Sequence, residues 1–159
     1  MRKSIVSPSA VAQTPISDLW RDLERIARVE ISSEDAAFPI EQALGRKETT
    51  GWRAATTGPQ LIRMHFDEPL NIKRLQLHFV ERAAERSQEF AVFVGAGSEL
   101  KEIVRQQWSF SPQGSTEEVE DYVVNLSGIT TLELRIDPDR SHDPAQSREY
   151  ASLLSLKLA

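Results

Sequence analysis

Apolar side chains recur at every second position along most of the chain. The pattern is clear in 60–66 (QLIRMHF), 74–79 (RLQLHF) and 90–94 (FAVFV), and it returns in 130–136 (TTLELRI). A period of two puts an apolar row on one face of a strand, and that face needs a second apolar layer to cover it. The sequence therefore predicts strands stacked in two layers, a β-sandwich.

Polar segments divide this pattern into about eight strands. Asp67-Glu68-Pro69 and Ser127-Gly128 are interpreted as turns, and 111–121 and 137–149 as long polar connections. The acidic run within 111–121 is predicted to be a solvated loop, or alternatively a docking patch for a basic partner. Since long connections span between sheets and no helical crossovers are visible, we predict an all-β jelly-roll sandwich of antiparallel strands.

The first 27 residues have a different pattern. Residues 1–13 are predicted to be a flexible tail, and 14–27 an amphipathic helix with Leu19, Leu23 and Ile26 on one face. We expect this helix to pack on the sandwich, with binding or dimerisation of a partner as the alternative. Residues 28–159 form the predicted β domain.

Composition narrows the classes of function. The chain has 159 residues, of which 40% are hydrophobic, and this is enough for one domain with a sizeable core. A net charge of -5 without clustered Lys and Arg argues against nucleic acid and anionic membranes as partners. No apolar run approaches the roughly 18 residues of a membrane-spanning helix. The broken apolar segment of the tail does not fit a secretory signal, so we expect a cytoplasmic protein.

An ordered series of segments over residues 28–158 carries a family resemblance. It comprises Ser32-Ser33-Glu34, 39–45 (PIEQALG), Thr50-Gly51-Trp52, 59–66 (PQLIRMHF), 69–77 (PLNIKRLQL), 126–138 (LSGITTLELRIDP) and 151–158 (ASLLSLKL). This series resembles the discoidin, or coagulation factor V/VIII type C, superfamily of galactose-binding-like jelly rolls, which includes many carbohydrate-binding modules. The chain also resembles a bacterial group of small stand-alone domains described as carbohydrate-binding proteins.

The resemblance implies a structural calcium ion, but this sequence departs from the pattern. Arg46 and Lys47 stand where the family tends to have aspartate and glycine, and Ser155 replaces a typical glutamate. Calcium needs six to eight oxygen ligands, several of them charged. With Glu48 as the remaining loop carboxylate, we predict no metal and no other cofactor.

Sugar recognition needs an aromatic ring for the apolar sugar face and polar side chains for the hydroxyls. The loops that the resemblance places at one rim supply six candidate ligand-binding residues, namely Phe38, Arg53, Glu81, Arg82, Arg86 and His142. Trp52 is predicted to be in the core. Trp108 and Phe110 are predicted to pack at an edge, with exposure beside the long loop as the alternative.

Two further features of the sequence bear on function. His65 and His78 are predicted to share a polar sheet face, either as a solvated surface or as a binding face. No cysteine, nucleophile elbow, phosphate loop or H-E-x-x-H pair is present to suggest catalysis. The sequence therefore predicts a non-catalytic binding module that contacts carbohydrate through its rim loops. The alternative is a protein-interaction adaptor with the same fold and no sugar ligand, and the oligomeric state stays open.

Overall fold

Two long strands run through the fold and connect its two layers. The computed structural model describes residues 2–3, 19–45, 50–141, 143 and 147–159. Its elements in chain order are α1 (Leu23–Ile26), β1 (Ala27–Ile31), α2 (Glu41–Leu44), β2 (Trp52–Arg53), β3 (Gln60–Val80), β4 (Arg86–Gly95), β5 (Lys101–Phe110), β6 (Glu117–Asp137), β7 (Ser152–Leu153) and β8 (Ser155–Leu158). All strand pairs among these residues are antiparallel, which confirms the predicted all-β fold.

The long strands β3 and β6 pair with each other along nearly their whole length. The pairing runs from Gln60 opposite Ile136 to Val80 opposite Glu117, with register irregularities between 65 and 74. Such irregularities let a strand bend without ending. Each long strand therefore contributes one half to each layer of the sandwich.

The layers follow from the pairing of these halves. The first layer contains, in order, β1, 60–66 of β3, 129–137 of β6, β4 and β5, and the second contains β8, 70–80 of β3 and 117–126 of β6. The Phe79 ring of the second layer lies 5.2 Å from the Phe90 ring of the first, centroid to centroid. Alternate residues of both layers meet in one apolar core. The predicted sandwich is therefore confirmed.

The two short turns predicted from the sequence are wrong, because the chain continues as a strand at both positions. Asp67-Glu68-Pro69 lies within β3, and Ser127-Gly128 lies within β6. Pro69 falls where the register is irregular, so its missing N–H removes no ladder hydrogen bond. Gly128 adopts a φ of 67°, and its N–H donates to Asn71 Oδ1 at 3.2 Å across the bend. Residues that favour turns serve here as bends in continuous strands.

The continuous helix predicted over 14–27 is also wrong in its described part. Residues 14–18 lie outside the described residues, and from Trp20 to Asp22 the backbone is not helical. The Arg21 N–H donates to Leu158 O at 2.8 Å, so the segment bonds to β8 instead of continuing a helix. Trp20 is 3% exposed, and the Arg74 guanidinium stacks 4.9 Å from its ring. The described part of this segment is thus docked on the sandwich.

Two smaller predictions also need correction. The acidic run belongs to β6, and its Glu118 is fully buried. His65 and His78 lie in different halves of β3 and hence in different layers, so they do not form one polar face. Within the described residues, no helix has the length and apolar character that crossing a membrane requires.

Candidate functional site

One end of the sandwich collects most of the connecting segments. The pairing places the end of β1, both ends of β3, the start of β4 and both ends of β6 at this end. The described loops found there are 32–40, 54–59, 81–85, 111–116 and parts of 138–151. We call this end the rim. It is where the sequence predicted a binding site.

A cavity of about 570 Å³ opens at the rim, and we call it the rim cavity. Its volume lies within the range of about 300–1,000 Å³ that is typical of small-molecule sites. The structure brings four of the six predicted residues to its wall, namely Phe38, Arg53, Glu81 and Arg82. Trp52, Glu117 and Leu153 also line it.

Arg53 is held by backbone contacts on several sides. It pairs with Ser152 in the short β2–β7 sheet, its N–H donates to Phe38 O at 3.1 Å, and its carbonyl accepts from Asp35 N at 2.8 Å. The neighbouring Trp52 is 1% exposed and donates through Nε1 to Ser33 O at 3.1 Å, which confirms its predicted place in the core. The exposed Arg53 side chain is therefore presented from a fixed backbone.

A buried amide ties the two loops that flank Arg53. Gln60 is 5% exposed, and its Oε1 accepts from Ser32 Oγ at 2.6 Å and from Ser33 Oγ at 2.7 Å. Its Nε2 donates to Thr56 O at 3.1 Å. Because an unmade buried hydrogen bond is costly, this network fixes the loops relative to each other.

Glu81 and Arg82 also line the rim cavity. Burial opposes ionisation of Glu81, but the hydrogen bond from Arg86 and those from the backbone of Ala83 and Ala84 outweigh it and lower the Glu81 pKa. Glu81 is therefore an ionised acceptor at neutral pH. The Arg82 guanidinium is exposed and lies 3.7 Å from Glu117 Oε1, measured from Nη2.

Arg86 does not line the rim cavity, and its predicted direct contact with a ligand is wrong for this structure. Its side chain is fully buried, with Nε donating to Glu81 Oε1 at 2.8 Å and Nη1 to Pro138 O at 2.9 Å. The guanidinium also stacks 4.8 Å from the Phe110 ring. Arg86 instead joins the 81–85 loop to the loop after β6. It therefore stabilises the wall of the rim cavity without lining it.

The last predicted residue and one missed residue belong to the same loop region. His142 lies outside the described residues. Tyr150, which was not among the predicted site residues, precedes β7 and is 40% exposed. The Arg53 guanidinium lies 5.4 Å from the centre of its ring. An aromatic residue directly after the polar loop is the signal that could have identified it.

The predicted absence of calcium concerns a loop of which 46–49 lie outside the described residues. At the position of the typical glutamate, Ser155 is buried and offers only a neutral hydroxyl. Across the described ranges, no group of three or more His, Asp or Glu side chains is placed to hold a metal ion. The absence of calcium stays a prediction.

The site can bind a polar ligand that also has an apolar face. Phe38 supplies an aromatic ring, Arg53 and Arg82 supply donors, and Glu81 and Glu117 supply acceptors. Guanidinium groups carry five N–H donors and carboxylates accept several hydrogen bonds, so the wall suits a ligand rich in hydroxyl groups.

Solved structures share this fold. The family 32 carbohydrate-binding module of NanJ from Clostridium perfringens, in complex with galactose, is 10% identical and has a TM-score of 0.59 over 86% of this chain and 96% of that one. A family 32 module from a family 31 glycoside hydrolase of Clostridium perfringens is 13% identical, with a TM-score of 0.62 over 89% of this chain and 95% of the other.

The module of AlyQ in complex with 4,5-unsaturated mannuronic acid is 19% identical, with a TM-score of 0.53 over 84% of this chain and 95% of that one. No family model and no curated protein matches the sequence. At these identities the likeness establishes the fold. The chain has the same jelly-roll fold as these modules, and this confirms the fold that the sequence predicted.

Proposed function

We propose that this protein is a non-catalytic carbohydrate-binding domain and that the rim cavity receives the sugar. The observation that carries the proposal is the convergence of Phe38, Arg53, Glu81 and Arg82 on one cavity at the loop end of the sandwich. Similar jelly rolls were solved with galactose and with an unsaturated mannuronic acid bound, which supports this class of ligand.

The chemistry of the wall matches that of a sugar ring. A sugar presents an apolar face of C–H groups and a rim of hydroxyls that both donate and accept. Phe38 covers the first, Arg53 and Arg82 donate to the second, and the ionised Glu81 accepts from it. Buried Arg86 and Gln60 hold the loops in place before binding, which reduces the entropy lost on association.

A protein-interaction adaptor is the second candidate, and one observation favours it. Among the described strands, residues 117–126 of β6 pair only with β3, so their other edge is open. Val119 and Val123 on this strand are 54% and 90% exposed. An open strand edge with apolar side chains can pair with an extended segment of a partner protein.

A glycan array followed by calorimetry tests the proposal. We expect Arg82→Ala to weaken binding of the retained glycans about tenfold, because it removes a charged donor worth on the order of 1.4 kcal/mol. Arg28→Ala is the matched control, since Arg28 is similarly exposed on β1 of the first layer and does not line the rim cavity.

Retention of glycans by the wild type, lost with Arg82→Ala and kept with Arg28→Ala, supports the proposed function. No glycan signal, together with a specific protein captured by the wild type and lost on Val123→Asp, contradicts it and supports the adaptor.

A further inference from the structure

A second cavity adjoins the rim cavity, with Arg53 in the wall of both. It has a volume of about 390 Å³ and is lined by Glu34, Asp35, Ala36, Arg53, Ala54, Ala55 and Tyr150. The two cavities therefore share Arg53 as a wall residue. Within the described residues, no carboxylate forms an ion pair with Arg53.

The backbone fixes Tyr150 beside Arg53. The residues before and after it accept hydrogen bonds through their carbonyls, Glu149 from Gly58 N at 3.0 Å and Ala151 from Ala54 N at 2.9 Å. The guanidinium of Arg53 covers part of the ring at 5.4 Å, and 40% of Tyr150 stays exposed. Tyr150 is thus an aromatic surface held in a defined position at the rim.

Each cavity has the groups that one sugar ring needs. The rim cavity combines Phe38 with the carboxylates of Glu81 and Glu117. The second cavity combines Tyr150 with the carboxylates of Glu34 and Asp35. Glu34 Oε2 accepts from Ile40 N at 2.9 Å and Asp35 Oδ1 from Ala37 N at 2.9 Å, so both carboxylates are held in place and keep further acceptor capacity.

We infer that the ligand is an oligosaccharide of at least two sugar units, with one unit in each cavity and Arg53 donating hydrogen bonds between them. The inference rests on the proposed function and adds the number of sugar units that the site prefers in its ligand. Tyr150 contacts only the unit in the second cavity, whereas Arg82 contacts only the unit in the rim cavity. Arg53 contacts both.

Calorimetric titration with galactose and galacturonic acid, each as a series of one, two and three units, tests this arrangement. For the series that binds, we expect affinity to rise about tenfold from one unit to two, since the second cavity adds contacts worth about 1.4 kcal/mol. Tyr150→Ala should remove this gain, so that one and two units bind with equal affinity. Tyr150→Phe should keep the gain, because it preserves the ring.

The outcomes separate this inference from the proposed function. Equal affinity for one, two and three units, with no effect of Tyr150→Ala, overturns the two-cavity arrangement and leaves sugar binding at the rim cavity intact. No binding of either series at any length contradicts both. If Arg82→Ala lowers the affinity for the one-unit and the two-unit sugar by the same factor, the assignment of the first unit to the rim cavity is supported.

Discussion

Glu118 is a carboxylic acid in the core of the sandwich. It is fully buried, and Gln88 Nε2 donates to its Oε1 at 3.2 Å. Burial, and next the neighbouring carboxyl of Glu120, raise its pKa to about 8, although Gln88 and Arg86 act in the opposite direction. The folded protein therefore holds Glu118 protonated at neutral pH, where the unfolded chain ionises it.

The sign of this shift predicts a pH-dependent stability. Because the pKa is higher in the folded state, the stability linked to Glu118 is fully present below about pH 4.5 and is lost as the pH rises through about 8. Glu118→Gln keeps the acceptor for Gln88 and cannot ionise. We expect its free energy of unfolding, relative to wild type, to increase by on the order of 4 kcal/mol between pH 5 and pH 9.

Urea unfolding at a series of pH values measures this difference. Glu117→Gln is a suitable control, since Glu117 lies one position away and is exposed. A constant offset between wild type and Glu118→Gln over the whole pH range would show that Glu118 is already ionised in the folded protein.

Single residues also show where sequence reasoning about the site reached its limit. Phe38, Arg53 and Arg82 were identified because the family resemblance places their loops at one rim. Arg86 was misplaced because a guanidinium is expected at the surface, whereas Glu81 and the Phe110 ring allow it to be buried here. Tyr150 was missed because the pattern after the polar loop does not show where the strand begins.

The β2–β7 pair is the element that positions the site. Trp52 pairs with Leu153 and Arg53 with Ser152, so two residues on each side connect the core to the rim cavity. Gly51 precedes this pair with a φ of 75°. A Cβ there would lie 2.5 Å from Leu153 O and 2.7 Å from Leu154 Cα, which leaves no space for any side chain.

Gly51→Ala should therefore separate β2 from β7. We expect a loss of about 3 kcal/mol in the free energy of unfolding, because the change adds a backbone clash to an unfavourable φ. Gly97→Ala is the matched control, since Gly97 has a φ of 86° but no atom within 4 Å of the added Cβ. It should lose only about 1 kcal/mol. Chemical denaturation compares the two, and equal losses would contradict the role of the β2–β7 contact.

At the scale of elements, the sequence predicts strands better than their ends. The rows in 60–66 and 74–79 face the core as expected, because burial imposes a period of two. The segment between them contains Asp67, Glu68 and Pro69, which also favour turns. Only the continued pairing with β6, a contact between residues far apart in sequence, decides that the strand bends and does not reverse.

At the scale of the whole molecule, the residues that stabilise the fold are separate from the loops at the rim. Apolar side chains from both layers form one core, and the outer face of the first layer carries ion pairs such as Arg63 with Glu133, at 2.6 Å between Nη2 and Oε1. The loops at the rim lie outside this core. This division was predictable, since it follows from the order of strands, but the identity of a ligand depends on side-chain positions that the pattern does not encode.

Mapping the ligand contacts by nuclear magnetic resonance tests the central claim most directly. Isotope-labelled protein is titrated with galactose and galacturonic acid oligomers, and backbone amide shifts are followed. The account predicts saturable shifts at Phe38, Arg53, Glu81 and Arg82, with Tyr150 shifting only when the ligand has two units or more. Saturable shifts confined to 119–123 of β6, or none with either series, would contradict it.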